Sequence, residues 1–229
     1  MLAGSETLLF YAHCAIVKQP KERGIFVEYT EQVTDLYIAS IPDAPIDTIS
    51  LAARQALIEK TVNEPMKRQR YYVWKLLEYA LKNSFLLQPE TIAFSVDENG
   101  KWSCPDCYFS LSHCNDAVAV AVSTKPVGVD IENLARTVAP GLYRKVLANE
   151  ELQEYNRLDE AQQRRYLLEK WCSKESLFKI YGGKHFVPQH IKTNENVRTG
   201  VWEIPGQSIR YAVANSGPCS LRVFTDIQL

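Results

Sequence analysis

Three acidic residues in the second half of the chain have the types and spacing of a site for a divalent cation. Asp130 and Glu132 lie two positions apart in the segment Val127-Gly-Val-Asp-Ile-Glu132. Glu175 lies downstream, in Trp171-Cys-Ser-Lys-Glu-Ser-Leu-Phe-Lys179. Carboxylate oxygens are the ligands that Mg²⁺ prefers, and protein-bound Mg²⁺ commonly bridges to phosphates. With lysines beside the carboxylates, the pattern predicts phosphate-transfer chemistry.

β-Strands must position the first two carboxylates. The apolar run Ala117 to Val122 and the run that begins at Pro126 are rich in valine, and they predict a buried hairpin. Side chains two residues apart share one face of a strand, so Asp130 and Glu132 are expected to point the same way. Gly128 would allow another segment or a ligand to approach this strand closely.

A helix must position the third carboxylate. Apolar residues among strong helix formers predict a helix from Ala161 through Lys179. Glu175 and Lys179 are four residues apart and therefore project from one helix face. Lys174 points about 100° away from Glu175 on an ideal helix, which indicates a supporting role.

Four sequence elements together resemble the 4'-phosphopantetheinyl transferases, in particular the larger monomeric kind that serve secondary-metabolite synthetases. Their order and spacing fit that family over about residues 97 to 185. One departure is Trp102, which stands where the family often has a proline after the loop lysine. The matching elements are Gly100-Lys101, Phe109-Ser-Leu-Ser-His113, Gly128-Val-Asp-Ile-Glu132 and Trp171-Cys-Ser-Lys-Glu-Ser-Leu-Phe-Lys179.

The resemblance implies transfer of the phosphopantetheine arm of coenzyme A to a serine hydroxyl of an apo acyl or peptidyl carrier protein, with release of adenosine 3',5'-bisphosphate. Asp130, Glu132 and Glu175 would hold Mg²⁺, or Mn²⁺ as an alternative, against the pyrophosphate oxygens. The implied fold is α+β, with two similar subdomains related by pseudo-twofold symmetry. Each subdomain would be an antiparallel sheet packed with a long helix, and the site would lie in the cleft between them.

The resemblance also assigns coenzyme A contacts. Lys179 would contact the phosphates and act in catalysis, and Lys101 would reach the phosphates from its loop. His113, with Ser112 before it, would contact the 3'-phosphate. The first half of the chain matches the family poorly, and Arg54 is the candidate there for the adenosine end.

A glutamate is implied as the base that activates the serine. Glu150 matches by position the glutamate proposed for this task in relatives, and it is the predicted base. Because Glu151 is adjacent, the match to the family does not decide which of the two glutamates takes this position. A glutamate near Asn149 could equally be favoured by the dipole of a helix start, without any catalytic role.

A carrier protein that is acidic around its serine would need a basic docking face. Arg144 and Lys145, with hydrophobic neighbours near Leu142 and Val146, follow the strand that carries Glu132 and are predicted to form it. Complementary charge would raise the rate of association more than the affinity.

Composition excludes other classes of protein. The 229 residues carry a formal net charge of −1, which gives no global basic surface for nucleic acid. No apolar run approaches the roughly 18 residues of a membrane span, and the N-terminus lacks the charged start of a signal peptide. We expect a cytoplasmic protein with reduced thiols, and the resemblance suggests a monomer.

The chain divides into two comparable halves, residues 1–115 on the adenosine side of coenzyme A and residues 116–229 with the metal and catalytic motifs. The first half is expected to contain a strand at Leu8 to Val17 and a helical stretch from Ser50 to Ser84, interrupted near Asn63-Glu-Pro65. The second half is expected to close with strands at Val201 to Ile204, Arg210 to Ala214 and Ser220 to Thr225.

Two other classes stay open. One is a zinc-stabilised interaction module, whose ligands would be Cys104, Cys107, His113 and Cys114. Because no second Cys-x-x-Cys pair exists, reduced unpaired thiols are the favoured interpretation. The other is a coenzyme A-binding regulatory protein that kept the fold and lost the transfer. The cluster of like charges argues against it, since such a cluster is costly to keep without a use.

Overall fold

The protein is described by a computed structural model over residues 32–182 and 185–229. The strand predicted at Leu8 to Val17 lies outside these residues. The helices are α1 (Ala52–Glu59), α2 (Glu64–Phe85), α3 (Tyr143–Val146), α4 (Asn149–Tyr155) and α5 (Glu160–Tyr181). The strands are β1 (Val33–Ser40), β2 (Ser95–Val96), β3 (Trp102–Ser103), β4 (Tyr108–His113), β5 (Ala117–Ser123), β6 (Val127–Asn133), β7 (Val197–Ile204), β8 (Gln207–Asn215) and β9 (Ser220–Phe224).

A four-stranded sheet packs against helix α2. Its strand order is β4-β5-β1-β9, and β9 runs parallel to β1 while the other neighbours are antiparallel. Strand β5 is buried along its whole length. Its valines pack with α2 side chains such as Trp74 and Leu77, and its alanines pack against strands of a second sheet. Because successive side chains alternate, the small residues face the contact between sheets and the larger ones face the helix.

Helix α2 begins where the sequence predicted an interruption. The side chain of Asn63 accepts a hydrogen bond from the Met66 backbone N–H, and Pro65 lies in the first turn, where the missing N–H is not needed. The helix ends at Phe85, and the cap residue Leu86 has a left-handed φ of 56°. The prediction of two helical segments broken near residue 63 is therefore confirmed.

The second sheet has the order β6-β8-β7, is antiparallel, and is covered by α5. Helix α5 starts with a capping box, in which Asp159 and Gln162 each accept a hydrogen bond from the other's backbone N–H. The helix predicted between residues 161 and 179 and the closing strands of the chain are confirmed. Helix α5, β7 and β8 are longer than predicted, and β9 ends one residue earlier.

The predicted hairpin between β5 and β6 is wrong. Strand β5 pairs with β4 and β1, whereas β6 pairs with β8 in the other sheet. The backbone N–H groups of Val129 and Ile131 in β6 donate to the hydroxyl oxygens of Ser110 and Ser112 in β4, at 3.0 and 3.1 Å. The serine hydroxyls supply hydrogen-bond acceptors at the junction of the two sheets. The buried N–H groups of Val129 and Ile131 in β6 are therefore paired although β6 does not belong to the first sheet.

Two strands of the first sheet come from the second half of the chain. Strand β5 begins at Ala117, and β9 returns from the second sheet to lie beside β1, where Arg222 Nε lies 2.6 Å from Oδ1 of buried Asp35. The α+β class is confirmed, but the first sheet is mixed rather than antiparallel. The boundary at residue 115 and the pseudo-twofold relation stay predictions.

The close contact of β6 with α5 predicts a large effect at Gly128. A Cβ atom there would lie 1.9 Å from the backbone carbonyl oxygen of Ser176. We expect Gly128→Ala to lower the free energy of unfolding in urea by about 1–3 kcal/mol, because the helix must move away from the sheet. In the matched control Gly217→Ala, the nearest atom is the Gln32 side-chain oxygen at 4.0 Å, so the change should stay within about 0.5 kcal/mol. Equal losses in both variants would contradict the prediction.

Candidate active site

The carboxylate of Asp130 lies between β4, β6 and α5. Its Oδ1 accepts hydrogen bonds from Ser112 Oγ at 2.9 Å and from Lys179 Nζ at 2.8 Å, and the residue is 4% exposed. Its Oδ2 is buried and has no hydrogen-bond partner among the described residues. A buried carboxylate oxygen without a donor is costly to keep, and a bound cation would satisfy it.

Lys179 links the strand and the helix. Its ammonium group donates to the Val129 carbonyl oxygen at 2.9 Å as well as to Asp130, and it lies 3.8 Å from Glu175 Oε2. Burial alone would lower the pKa of Lys179, but the negative charges of Asp130 and Glu175 outweigh it and raise the pKa. The lysine is therefore charged at neutral pH.

Glu175 lies in the same cluster and lacks a full counter-charge. Burial, and then repulsion from the Asp130 carboxylate, raise its pKa to about 7, although Lys179 acts in the opposite direction. Two carboxylates thus share one lysine. The oxygen donors and the surplus negative charge suit a hard divalent cation, so the residues present fit Mg²⁺.

Glu132 is engaged differently. It forms an ion pair with Arg136, whose guanidinium lies 5.8 Å from the centre of the Trp171 ring. Among residues 32–182 and 185–229, no group of three or more His, Cys, Asp or Glu side chains has an arrangement that could hold a metal. The structure brings Asp130 and Glu175 together around Lys179, and the role of Glu132 as a third ligand stays a prediction.

A cavity of about 770 Å³ opens beside this cluster. It contains four of the predicted coenzyme A residues, which lie on α1, on the loop before β3, on β4 and on α5. Its aromatic walls include Trp102, Phe178 and Phe186. The basic residues that line it are Arg54, Arg70, Lys101, His113 and Lys179. Ser112 does not line the cavity, because its hydroxyl is turned to Asp130. Arg70 was not predicted, since basic residues along a helix usually form a solvated face.

Arg54 is held rigidly in the wall of this cavity. Its guanidinium lies 5.2 Å from the centre of the Trp74 ring, and one of its terminal nitrogens donates to the Arg70 carbonyl oxygen at 3.1 Å. Its Nε is buried without a hydrogen-bond partner among the described residues. Burial, and then the charge of Arg70, lower the pKa of Arg54 to about 10. It stays charged at neutral pH, and the two arginines together favour an anion.

Lys101 and His113 complete the basic wall. Lys101 Nζ donates to the Lys179 backbone carbonyl oxygen at 2.7 Å, near the C-terminal end of α5, where cations are favourable. Trp102, at the departure from the family pattern, packs edge-on against Trp74 with ring centres 5.2 Å apart, so the loop is anchored. Burial and then the charge of Lys179 lower the pKa of His113, so its neutral imidazole is favoured until an anion binds.

The two candidate bases have different environments. Glu150 is exposed in the first turn of α4. Glu151 accepts hydrogen bonds from the Ala148 backbone N–H at 2.9 Å and from Lys174 Nζ at 2.5 Å. Lys174 is fully buried and also donates to the Val146 carbonyl oxygen at 2.8 Å. Lys174 therefore ties α5 to α4, which agrees with the supporting role suggested by its position.

Loss of the Glu151 carboxylate should be strongly destabilising. We expect Glu151→Ala to lower the free energy of unfolding in urea by about 3–5 kcal/mol, because it leaves the Lys174 charge buried and unpaired. Glu150→Ala is the matched control, and a change within about 0.5 kcal/mol is expected because its side chain is exposed. Similar losses in the two variants would contradict the assignment of the buried pair.

The predicted docking face is corrected in one respect. Arg144 and Lys145 are exposed on α3, as a docking face requires. Val146 is fully buried, in a cluster with Leu147 and Leu167, and cannot contact a partner. The short helix turns this side chain towards α5 because its neighbours supply the apolar contacts there.

The cysteines do not assemble the zinc set of the alternative class within the described residues. The Sγ atoms of Cys104 and Cys107 lie 3.8 Å apart. His113 and Cys114 form no metal-binding group with them in this part of the chain. Cys104, Cys107 and Cys114 are free thiols.

Comparisons with known proteins show what this chain is similar to. Residues 126–204, which include β6 and α5, match the model of the 4'-phosphopantetheinyl transferase superfamily. The chain is 31% identical over 113 residues to a 4'-phosphopantetheinyl transferase of Bacillus subtilis, with 47% of this chain and 49% of the relative aligned. It is 29% identical over 110 residues to 4'-phosphopantetheinyl transferase psf-1 of Bacillus pumilus, with 47% of each chain aligned.

These matches confirm the resemblance that the motifs suggested. A third relative, 4'-phosphopantetheinyl transferase Sfp of Bacillus subtilis strain 168, is 28% identical over 111 residues, which cover 47% of this chain and 49% of the relative. The chain thus spans about half the length of the curated relatives it matches. None of the helices in the described part of the chain has the length and apolar character needed to cross a membrane.

Proposed function

We propose that the protein transfers the 4'-phosphopantetheine group of coenzyme A to a serine of an apo acyl or peptidyl carrier protein, and releases adenosine 3',5'-bisphosphate. One observation carries the proposal. Lys179, which pairs with Asp130 and Glu175, lines a cavity together with four other basic residues, so the carboxylates for a cation lie next to the basic groups for phosphates. The names of the relatives support the same class of reaction.

Coenzyme A binding would use the basic wall. Arg54 and Arg70 direct positive charge into the cavity, and their own hydrogen bonds go to the Arg70 carbonyl and the Thr61 hydroxyl rather than to a carboxylate. Charge-assisted hydrogen bonds from such groups to phosphate are the strong ones. Lys101 is anchored at the end of α5 and would gain a phosphate oxygen in place of a carbonyl oxygen.

The reacting pyrophosphate would lie against Lys179. Asp130 and Glu175, with Glu132 two residues along the strand, would hold Mg²⁺, which when bound neutralises charge on the phosphate oxygens. Lys179 lines the cavity and touches Asp130, so its ammonium can contact a phosphate oxygen without leaving the cluster. Ser112 fixes the orientation of the Asp130 carboxylate through its hydroxyl.

The serine of the carrier needs a base that it can reach. The exposure of the Glu150 carboxylate supports this role, whereas Glu151 is occupied by Lys174. We therefore keep Glu150 as the proposed base. In the same two variants used for stability, Glu150→Ala should lower kcat; a loss of kcat in folded Glu151→Ala alone would assign the base to Glu151 instead.

The transfer itself can be tested by mass. The full chain is incubated with coenzyme A, Mg²⁺ and apo carrier proteins from fatty-acid, polyketide and peptide synthetases, and the carriers are weighed. A gain of one phosphopantetheine group on at least one carrier is expected. No gain across the panel, together with measurable binding of coenzyme A, would favour the regulatory protein.

The docking face gives a kinetic prediction. Arg144→Glu with Lys145→Glu should raise the KM for the carrier by about tenfold and leave coenzyme A binding unchanged, because charge reversal weakens association with an acidic partner. A control with the same charge change, Lys82→Glu with Arg198→Glu, alters exposed residues on other elements and should leave the KM unchanged. Unchanged carrier kinetics in the first variant would reject this face.

Three further features belong to the proposal. The site would lie between two α+β subdomains related by pseudo-twofold symmetry, the protein would act as a monomer, and it would work in the cytoplasm.

A further inference from the structure

A pair of cysteines lies outside the cluster used for the proposed transfer. Cys104 and Cys107 occupy the four-residue turn between β3 and β4, with Pro105 and Asp106 between them. Their Sγ atoms are 3.8 Å apart, and Cys104 Sγ also lies 3.5 Å from the Cys107 carbonyl oxygen. The two sulfur atoms are therefore in contact without any rearrangement of the strands.

The two thiols differ in access. Cys104 is partly exposed, and Cys107 is 7% exposed. Both line a second cavity of about 220 Å³, whose wall also includes Lys101, Trp102 and Tyr108. Cys104 is therefore the more accessible of the two thiols to a small reagent.

The chemistry of the pair is also unequal. Hydrogen bonding from the Cys107 thiol lowers the pKa of Cys104 to about 7, although burial opposes it. The same hydrogen bond, followed by burial, raises the pKa of Cys107. An accessible thiolate beside a protonated partner is the arrangement in which one cysteine attacks and the other resolves.

We propose that Cys104 and Cys107 form a thiol–disulfide exchange site for small-molecule disulfides, a modification site separate from the transfer reaction. The Cys104 thiolate attacks one sulfur of the small disulfide, whose S–S bond breaks and whose other half leaves as a thiolate. The Cys107 thiol then gives up its proton to that thiolate and attacks the Cys104 sulfur of the mixed disulfide. The second half leaves as a thiolate and takes from water the proton that Cys104 had released to form its thiolate. The pair is oxidised to a disulfide, and one small disulfide is reduced to two thiols.

The site adjoins the proposed coenzyme A cavity. Lys101, Trp102 and Phe109 line both cavities, and Trp102 and Tyr108 flank the turn that holds the cysteines. Oxidation would therefore change a turn whose flanks form a wall of the larger cavity. The exchange chemistry itself can be measured without any transfer assay.

The test uses the full chain, oxidised glutathione and peptide mapping. Chymotrypsin cleaves after Trp102 and Tyr108, which separates Cys104 and Cys107 from Cys114. We expect the peptide of residues 103–108 to become lighter by two hydrogen atoms. A peptide that stays reduced while other thiols react would overturn the proposal. Stoichiometric zinc that survives dialysis and blocks the exchange would also overturn it.

Single variants assign the two roles. Cys107→Ser should accumulate a stable mixed disulfide of glutathione with Cys104, because no resolving thiol remains. Cys104→Ser should react at least about tenfold more slowly, because Cys107 is buried and protonated. Cys114→Ser, the control, should form the 104–107 disulfide like the unaltered chain. Reaction of Cys104→Ser at the original rate would contradict the assignment, and if a variant does not fold, the mapping of the unaltered chain decides.

Discussion

Asp130→Asn should lower the rate of phosphopantetheine transfer by at least about 100-fold while the protein stays folded. The substitution removes one negative charge from the cluster that would hold the cation, and the loss of such charge stabilisation costs rate of this order. The amide oxygen of asparagine can still accept the hydrogen bonds from Ser112 and Lys179 that Asp130 accepts now. A loss of rate in this variant would therefore report the loss of the negative charge and not a change in side-chain size or in these hydrogen bonds.

The measurement combines carrier mass gain with urea unfolding. Unfolding free energy should change by less than about 1 kcal/mol, because repulsion between residue 130 and Glu175 is relieved as the ion pair with Lys179 weakens. Glu169→Gln is a control on α5, since it removes one carboxylate, 40% exposed, from an ion pair with Arg210 outside the cluster. Transfer at the original rate in Asp130→Asn would remove the basis of the cation site.

Lys179→Met should lower the rate of transfer about as much as Asp130→Asn, and it should also weaken the binding of adenosine 3',5'-bisphosphate. The ammonium group neutralises Asp130 and Glu175 and faces the cavity. We expect the affinity for adenosine 3',5'-bisphosphate, measured by calorimetry without metal, to fall by about tenfold or more, as for the loss of a charge-assisted hydrogen bond.

Stability distinguishes this variant from Asp130→Asn. Lys179→Met leaves two neighbouring carboxylates without their shared cation, so unfolding free energy should fall by about 1–3 kcal/mol. Lys75→Met, which removes a lysine from an ion pair with Glu78 on α2, is the control and should leave binding unchanged. Unaltered bisphosphate affinity in Lys179→Met would place the phosphates elsewhere.

Local patterns predicted the helices well because their signals are local. Asn63 and Pro65 mark the start of α2 by satisfying or avoiding backbone donors, and no distant residue is needed for that. Strands β5 to β9 were found for the same reason, since β-branched runs bounded by turns are recognisable in sequence, whereas β1 to β4 were not predicted. The pairing of these strands was not predicted. A buried apolar run shows that a strand lies in the core, but it does not show which neighbouring strand it pairs with.

The partners of β5 and β6 depend on contacts that are distant in sequence. Strands β5 and β6 are adjacent in sequence and both apolar, so local pairing was the simplest expectation. The decision lies with Ser110 and Ser112, which bind the β6 backbone from β4 and allow a second sheet to begin. The sequence pattern of a strand does not reveal that its serine hydroxyls accept hydrogen bonds from the backbone of a strand in another sheet.

By itself, the sequence determined how the candidate side chains are placed within each element: the spacings put Asp130 and Glu132 on one strand and Glu175 with Lys179 on one helix face. Only the tertiary structure decided which groups meet. In the folded protein, ion pairs form between Asp130 and Lys179, between Glu132 and Arg136, and between Glu151 and Lys174. Arg54 and Arg70 line one cavity. The reason is physical: spacing fixes directions within one element, whereas contacts between elements depend on how buried surfaces pack and which charges find partners.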